Sequence, residues 1–321
     1  MHCLTKTLSV KGAKFYLDGT EFDLQGVSFF NAIFNEEFCR PDESMEHYLN
    51  RFLDYGINMV RVWCEWDFGG AAGQFADVVT GETSLFDYRG HIRSVYAQRL
   101  ERLLLAADHL GMVVEVCALA HERIPMPDYR LFPYEIIGAQ EEALTQLTRL
   151  LLPYRNVILQ IWNEASFEVI RYFALIKSLD PERIVTNSPG YASDLGDEVQ
   201  NRLLDVLTPH TARAGSGEFW KKAVEEIKSL QRFGKPVIDD EPARCGLAEH
   251  DGIPEGTESW QHILQFKNVR ALGAYHLYHH DMFQNGYGHP ATPPDGIPDP
   301  QMGGLHREVF EFIAKSRGIE L

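Results

Sequence analysis

Two glutamates, Glu164 and Glu241, each close an apolar run that reads as a buried strand: Val157-Ile158-Leu159-Gln160-Ile161-Trp162-Asn163-Glu164 and Pro236-Val237-Ile238-Asp239-Asp240-Glu241. Two carboxyl groups delivered to one point from two strands can divide the labour of breaking an acetal bond. One protonates the leaving oxygen while the other attacks the carbon it leaves, and retention of configuration needs the pair about 5–5.5 Å apart. A covalent ester at Glu241 removes that residue's charge and lowers the pKa of Glu164, which can then act first as acid and later as base. Taken singly, Glu164 reads as a cap for the helix that follows Ser166, and Glu241 as solvated charge beside its acidic neighbours. Their pairing favours the chemical reading. Alternation along a strand puts Asp239 and Glu241 on one face, so Asp239 is a rival nucleophile or a partner for Arg61.

Such a pair needs a scaffold in which distant strands converge. After an opening segment over residues 7–24, whose Lys11-Gly12 and Asp18-Gly19 dipeptides signal turns, the chain repeats a short β-rich run, a loop and an amphipathic helix. Strands are predicted over 23–29, 58–63, 112–119, 157–162, 184–187, 205–209, 236–240 and 271–277, with helices over 45–55, 94–110, 139–152, 167–179, 219–233, 258–270 and 307–316. Only 194–204 carries no clear period. Eight such units imply an α/β fold of the (β/α)8 TIM-barrel type in a single domain, residues 1–321, with a hairpin over 1–22 closing the barrel bottom. Glycine-rich phosphate loops are absent from the sequence, which removes the commonest nucleotide readings.

In a barrel, reactive groups gather where strand C-termini meet. The polar residues there are Arg61 on strand two, His121 after strand three, Asn163 and Glu164 on strand four, His210 after strand six, Asp239, Asp240 and Glu241 on strand seven, and His276, Tyr278, His279 and His280 on strand eight. Arg61 lies among bulky apolar residues and needs a carboxylate partner. His121 and His210 fit a site or a satisfied core position equally. Adjacent strand-eight histidines point to opposite faces, so no three of them share a metal; no metal and no cofactor is expected. Of the tryptophans, Trp66 in the loop after strand two is the preferred sugar-stacking platform, then Tyr278 and Trp63. Trp220 and Trp260 fall on helices and read as packing.

The formal net charge of −16 disfavours nucleic-acid and anionic membrane partners and leaves a neutral substrate compatible. The five cysteines are scattered, with no C-x-x-C pair, and read as reduced buried thiols. The first ten residues lack a basic stretch followed by an apolar run, so a cytoplasmic location is expected, or secretion if a leader has been removed.

The strand-four run ending Trp162-Asn163-Glu164 resembles the signature of clan A glycoside hydrolases, most nearly family 5. The resemblance implies a sugar 2-hydroxyl ligand at Asn163 and the acid/base at Glu164. Lys235-Pro236-Val237-Ile238-Asp239-Asp240-Glu241 is similar to the family's strand-seven run, implying the nucleophile at Glu241. Arg61 matches the arginine that keeps the nucleophile ionised, and His210 a strand-six histidine of the active site. Three positions depart from the family: Ala165 stands where proline is usual, Ala212 where a tyrosine often follows the histidine, and strand eight has no tryptophan. The resemblance implies a retaining β-glycosidase for a β-linked glucan, mannan or derived oligosaccharide. A catalytically inactive carbohydrate-binding barrel is the first alternative. A metal-dependent barrel hydrolase of the amidohydrolase type is the second, and Ser28-Phe29-Phe30-Asn31 lacks the His-x-His it requires at strand one.

Overall fold

The computed structural model describes residues 5–42, 44–65, 84–120, 133–190, 193–213, 217–243, 257–280, 283 and 296–321. Its core is a curled sheet of seven parallel strands: β4 (Gly26–Ser28), β5 (Met59–Trp63), β6 (Val113–Ala120), β7 (Val157–Asn163), β8 (Ile184–Thr186), β9 (Ile238–Asp239) and β10 (Tyr275–Tyr278). The order is β8-β7-β6-β5-β4-β10-β9, every neighbouring pair parallel. Helices α1 (Ser44–Asp54), α2 (Ser94–His109), α3 (Pro133–Leu151), α4 (Val169–Leu179), α5 (Glu198–Leu203), α6 (Phe219–Gln231), α7 (Ser259–Ala271) and α8 (Gly304–Ser316) join them. This is a barrel-like α/β fold.

The two sheet edges, β8 and β9, are linked by the segment predicted as strand six. Asp205 N donates to Val185 O at 3.0 Å, Leu207 N to Pro236 O at 3.0 Å and Ile238 N to Leu207 O at 2.9 Å. Pro209 and Pro236 lack an N–H, so these contacts stop short of a continuous ladder. The stretch without a clear period contains α5, capped by Asp197, whose carboxylate accepts from Gln200 N. Six residues are too few for a helical period to register.

Alternation along the strands sorts the interior into layers. Met59, Val113, Ile158, Ile184, Val206, Ile238 and Leu277 form an apolar base with Leu8, Phe15 and Leu24. Gly26 belongs to the same layer, where a Cβ would stand 2.6 Å from Leu277 Cγ, so only glycine lets β4 and β10 approach this closely. Two residues further along each strand the inward positions turn polar: Ser28, Arg61, Glu115, Gln160, Thr186, Thr208, Asp240 and His279. The opposite faces, among them Val60, Val62, Val114, Val116, Leu159, Ile161 and Tyr278, pack on Leu103, Leu147, Tyr172, Ile227, Val269 and Phe310 of the helices.

The N-terminal segment is a three-stranded antiparallel sheet instead of a simple hairpin: β1 (Leu8–Lys11), β2 (Lys14–Leu17) and β3 (Thr20–Phe22). Both turn dipeptides are used, with φ of 58° at Gly12 and 80° at Gly19. Cys39, Cys64 and Cys117 are free and buried, as expected of reduced core thiols. Among the described residues, no helix is long and apolar enough to cross a membrane.

Candidate active site

Glu164 leaves β7 with φ of 58°, a left-handed conformation that is strained for a side-chain-bearing residue and turns its carboxyl toward the end of β9. It does not cap a helix, since Glu168 precedes α4. Glu241 follows β9. One carboxylate oxygen from each, with one ring nitrogen of His210, lie within 4.8 Å of one another.

Arg61 anchors the floor of the site. Its Nη1 donates to Glu241 Oε1 at 2.8 Å, its Nη2 to Asn163 Oδ1 at 2.7 Å and its Nε to Gln160 Oε1 at 2.8 Å, while Asp240 Oδ2 lies 3.2 Å from Nη2. Trp63, fully buried, supports the guanidinium at 4.3 Å and stacks on Phe30 at 4.4 Å. It is therefore packing beneath the arginine and not an open platform. Asp240 also accepts from Ser188 Oγ.

A second guanidinium, Arg213, completes the cluster. Its Nη2 stands 3.1 Å from Glu164 Oε1, 2.6 Å from His210 Nδ1 and 2.9 Å from Glu241 Oε2, and the side chain is fully buried. Because His210 Nδ1 faces this donor, Nε2 carries the proton in the neutral ring and faces Glu241 Oε1 at 3.5 Å. Glu164, His210 and Glu241 have donor types that could hold a metal ion, but the point between them is taken by Arg213 Nη2, and a cation there would meet two arginines.

The surroundings set the charges. Burial pushes the Glu241 carboxyl up, and His210, His279, Arg61 and Arg213 outweigh it and hold the group well below the usual carboxylate range. Burial likewise opposes ionisation of Glu164, and the His210 contact with the Arg213 charge brings it down to about 2. Asp240 and Glu115 are pushed up to about 7 by burial, against the pull of Arg61.

The structure brings together Glu164, Glu241, Arg61, Asn163 and His210. His121 and Trp66 lie outside the described residues. Two expectations are corrected. Asp239 does not share a face with Glu241: it turns outward, where Thr211 Oγ1 donates to it at 2.7 Å and Gln265 Nε2 at 3.2 Å, because the chain leaves regular strand geometry after Asp239. Tyr278 is no sugar platform. It lies on the outer face of β10, fully buried, with its hydroxyl 2.7 Å from His306 Nδ1 and its ring on Phe310. The inward residue is its neighbour His279, whose Nδ1 meets Ser28 Oγ at 2.9 Å and whose Nε2 is 3.9 Å from Glu241. His276 and His280 face outward, toward Phe266 and His306.

Sequence reasoning passed over Arg213 and Ser188, and named Asp240 at its strand end without giving it a role. Arg213 sits in an irregular segment where no period applies. One signal was present: three acids converging on one mouth need more than one cation, and Arg213 is the next arginine beside a strand end.

No protein-family model matches the chain, and no curated protein matches it in sequence. Its fold does match solved structures. A glycoside hydrolase family 5 mannosidase from Rhizomucor miehei is similar with TM-score 0.65 at 13% identity, covering 98% of both chains. A β-glucanase from Saccharophagus degradans matches with TM-score 0.65 at 14% identity over 98% of this chain and 94% of that one. A glycoside hydrolase family 5 protein from Bacteroides vulgatus matches with TM-score 0.64 at 16% identity over 95% and 70%. The chain has the fold of glycoside hydrolase family 5 structures.

Proposed function

We propose that this protein is a retaining β-glycosidase acting on a β-linked glucan, mannan or derived oligosaccharide through a covalent glycosyl-enzyme. The observation that carries this reading is the convergence of Glu164 and Glu241, from the ends of β7 and β9, to within 4.8 Å. That spacing leaves no room for a water between acid and base, as inversion requires, and suits direct attack by one carboxylate. Glu241, faced by two arginines, is the nucleophile. Glu164, the more accessible carboxylate with 8% side-chain exposure, is the acid/base that meets the leaving group. Asn163 and His210 orient the pair.

The reading includes a closed eight-stranded barrel in one domain, with the segment around Leu207 as its sixth stave and the N-terminal sheet beneath it. Main-chain bonds to both sheet edges and the shared cluster of Leu8, Phe15 and Leu24 with the strand bases support this.

Incubation with 2-deoxy-2-fluoro β-glucosyl and β-mannosyl fluorides, followed by intact mass and peptide mapping, tests the proposal. One added sugar on Glu241, absent from Glu241→Gln, is the expected result. A wild-type protein that binds oligosaccharide yet gains no mass and releases no aryl leaving group is instead the inactive carbohydrate-binding barrel. A strand eight without the tryptophan that the family resemblance implies supports that rival.

A further inference from the structure

We infer that Arg213 is a positioning residue that directs charge between the two glutamates during the reaction, holding Glu241 as nucleophile in the first step and Glu164 as base in the second. This role rests on the glycosidase reading above.

Arg213 Nη2 carries two hydrogens, yet three acceptors surround it: Glu164 Oε1 at 3.1 Å, His210 Nδ1 at 2.6 Å and Glu241 Oε2 at 2.9 Å. The three bonds cannot all be straight, so the arrangement is divided and can shift at low cost. The side chain is fully buried and, among the described residues, its Nε and Nη1 have no hydrogen-bond partner, so its field is only weakly screened by solvent. Ala212 stands where the family resemblance leads one to expect a tyrosine.

Among the described residues, the ionisable groups facing Glu164 are His210, Arg213 and Glu241. With the site empty they keep Glu164 ionised, which is the wrong state for a general acid. A sugar entering between the glutamates takes Glu164 out of reach of Arg213, whose Nη2 then divides its two hydrogens between His210 and Glu241, and Glu164 takes up a proton from solvent. Glu241 oxygen next bonds to the anomeric carbon, the glycosidic C–O bond breaks, and the Glu164 proton passes to the departing oxygen. Glu241 is now a neutral ester. The attraction of Arg213 falls on Glu164, which stays a carboxylate and accepts a proton as water oxygen bonds to the anomeric carbon and the ester C–O bond breaks. Arg213 therefore opposes protonation of Glu164 before the first step and supports its base role in the second.

The test compares wild type with Arg213→Met, Arg213→Gln and Arg213→Lys on 2,4-dinitrophenyl and phenyl β-glycosides of the sugar that wild type cleaves. In the Met and Gln variants the basic limb of the kcat/KM pH profile is expected to move upward by about 1–3 pH units, and Lys to restore it toward wild type. With the dinitrophenyl substrate, kcat should fall about tenfold or more while the Glu241 ester accumulates in the mass spectrum. Thermal melts identify folded variants, and either neutral variant suffices. An unmoved basic limb in a folded neutral variant, with wild type still labelled at Glu241, overturns the role of Arg213 alone. A wild type that never labels removes the glycosidase reading and this role with it.

Discussion

Asp239 and Glu241 leave the same strand end on opposite sides of the sheet: Asp239 is held on the helix side by Thr211 and Gln265, whereas Glu241 meets Arg61 at 2.8 Å on the inner side. Two carboxylates two residues apart thereby receive unrelated tasks. Glu241→Gln and Glu164→Gln should each reduce kcat on an unactivated glycoside by about 10²–10⁴-fold or more. Asp239→Asn should keep kcat within a few-fold of wild type. Steady-state kinetics on the three variants decides between the two acids of this strand end, and a collapse of kcat in folded Asp239→Asn would reverse the assignment.

Arg61 is fully buried and serves Glu241, Asp240, Asn163 and Gln160 together, with Glu115 3.7 Å from its Nε. Truncation strands several acids without their cation. Arg61→Met should lose about 3–5 kcal/mol of stability in urea unfolding, the usual cost of removing one partner from a buried ion pair. In whatever fraction remains folded, kcat should drop more than KM rises, because the nucleophile loses its orientation while the sugar pocket stays.

The position of Tyr278 makes a sharp prediction for Tyr278→Phe. Its hydroxyl lies 2.7 Å from His306 Nδ1, in the packing between β10 and α8, so the variant should lose about 1–3 kcal/mol of stability. KM and kcat should stay at wild-type values. A raised KM with unchanged stability would restore the tyrosine to the sugar site.

Two buried groups should tilt the pH dependence of stability in opposite directions. Burial lowers His306 to about 4 from its ordinary 6.5, so between pH 6.5 and 4 the unfolded chain binds a proton that the folded one refuses, and stability falls with acid. Burial raises Asp239 from 3.8 to about 7, so over that range the folded chain keeps a proton the unfolded one has released, and stability falls as pH rises. Relative to wild type, His306→Gln should therefore improve on acidification from pH 7 to 4.5, and Asp239→Asn should improve on going from pH 5 to 8. Melting temperatures measured across pH 4.5–8 check both signs.

Much of this protein is written in its sequence because strands and helices carry their own periods. The apolar runs ending at Trp63, Asn163 and Asp239 needed no tertiary information to be read as strands, since burial on both faces demands continuous hydrophobicity. The pairing of Glu164 with Glu241 and Arg61 followed from asking what ends each strand. Geometry that breaks the period was not legible. The turn from Asp239 to Glu241 reverses the alternation on which the Asp239 expectation rested. Tyr278 and His279 exchange roles through the one-residue parity of β10, which the sequence leaves open because both neighbours are amphipathic. Arg213 lies on a segment with no period at all. Its place between two glutamates 49 and 28 residues away exists only once the segment around Leu207 has joined the edges of the sheet. Local pattern determined the elements and the acids they carry. Only the tertiary arrangement of the strand ends decided which cations stand between those acids, because contacts between segments far apart in sequence depend on distances that no local repeat encodes.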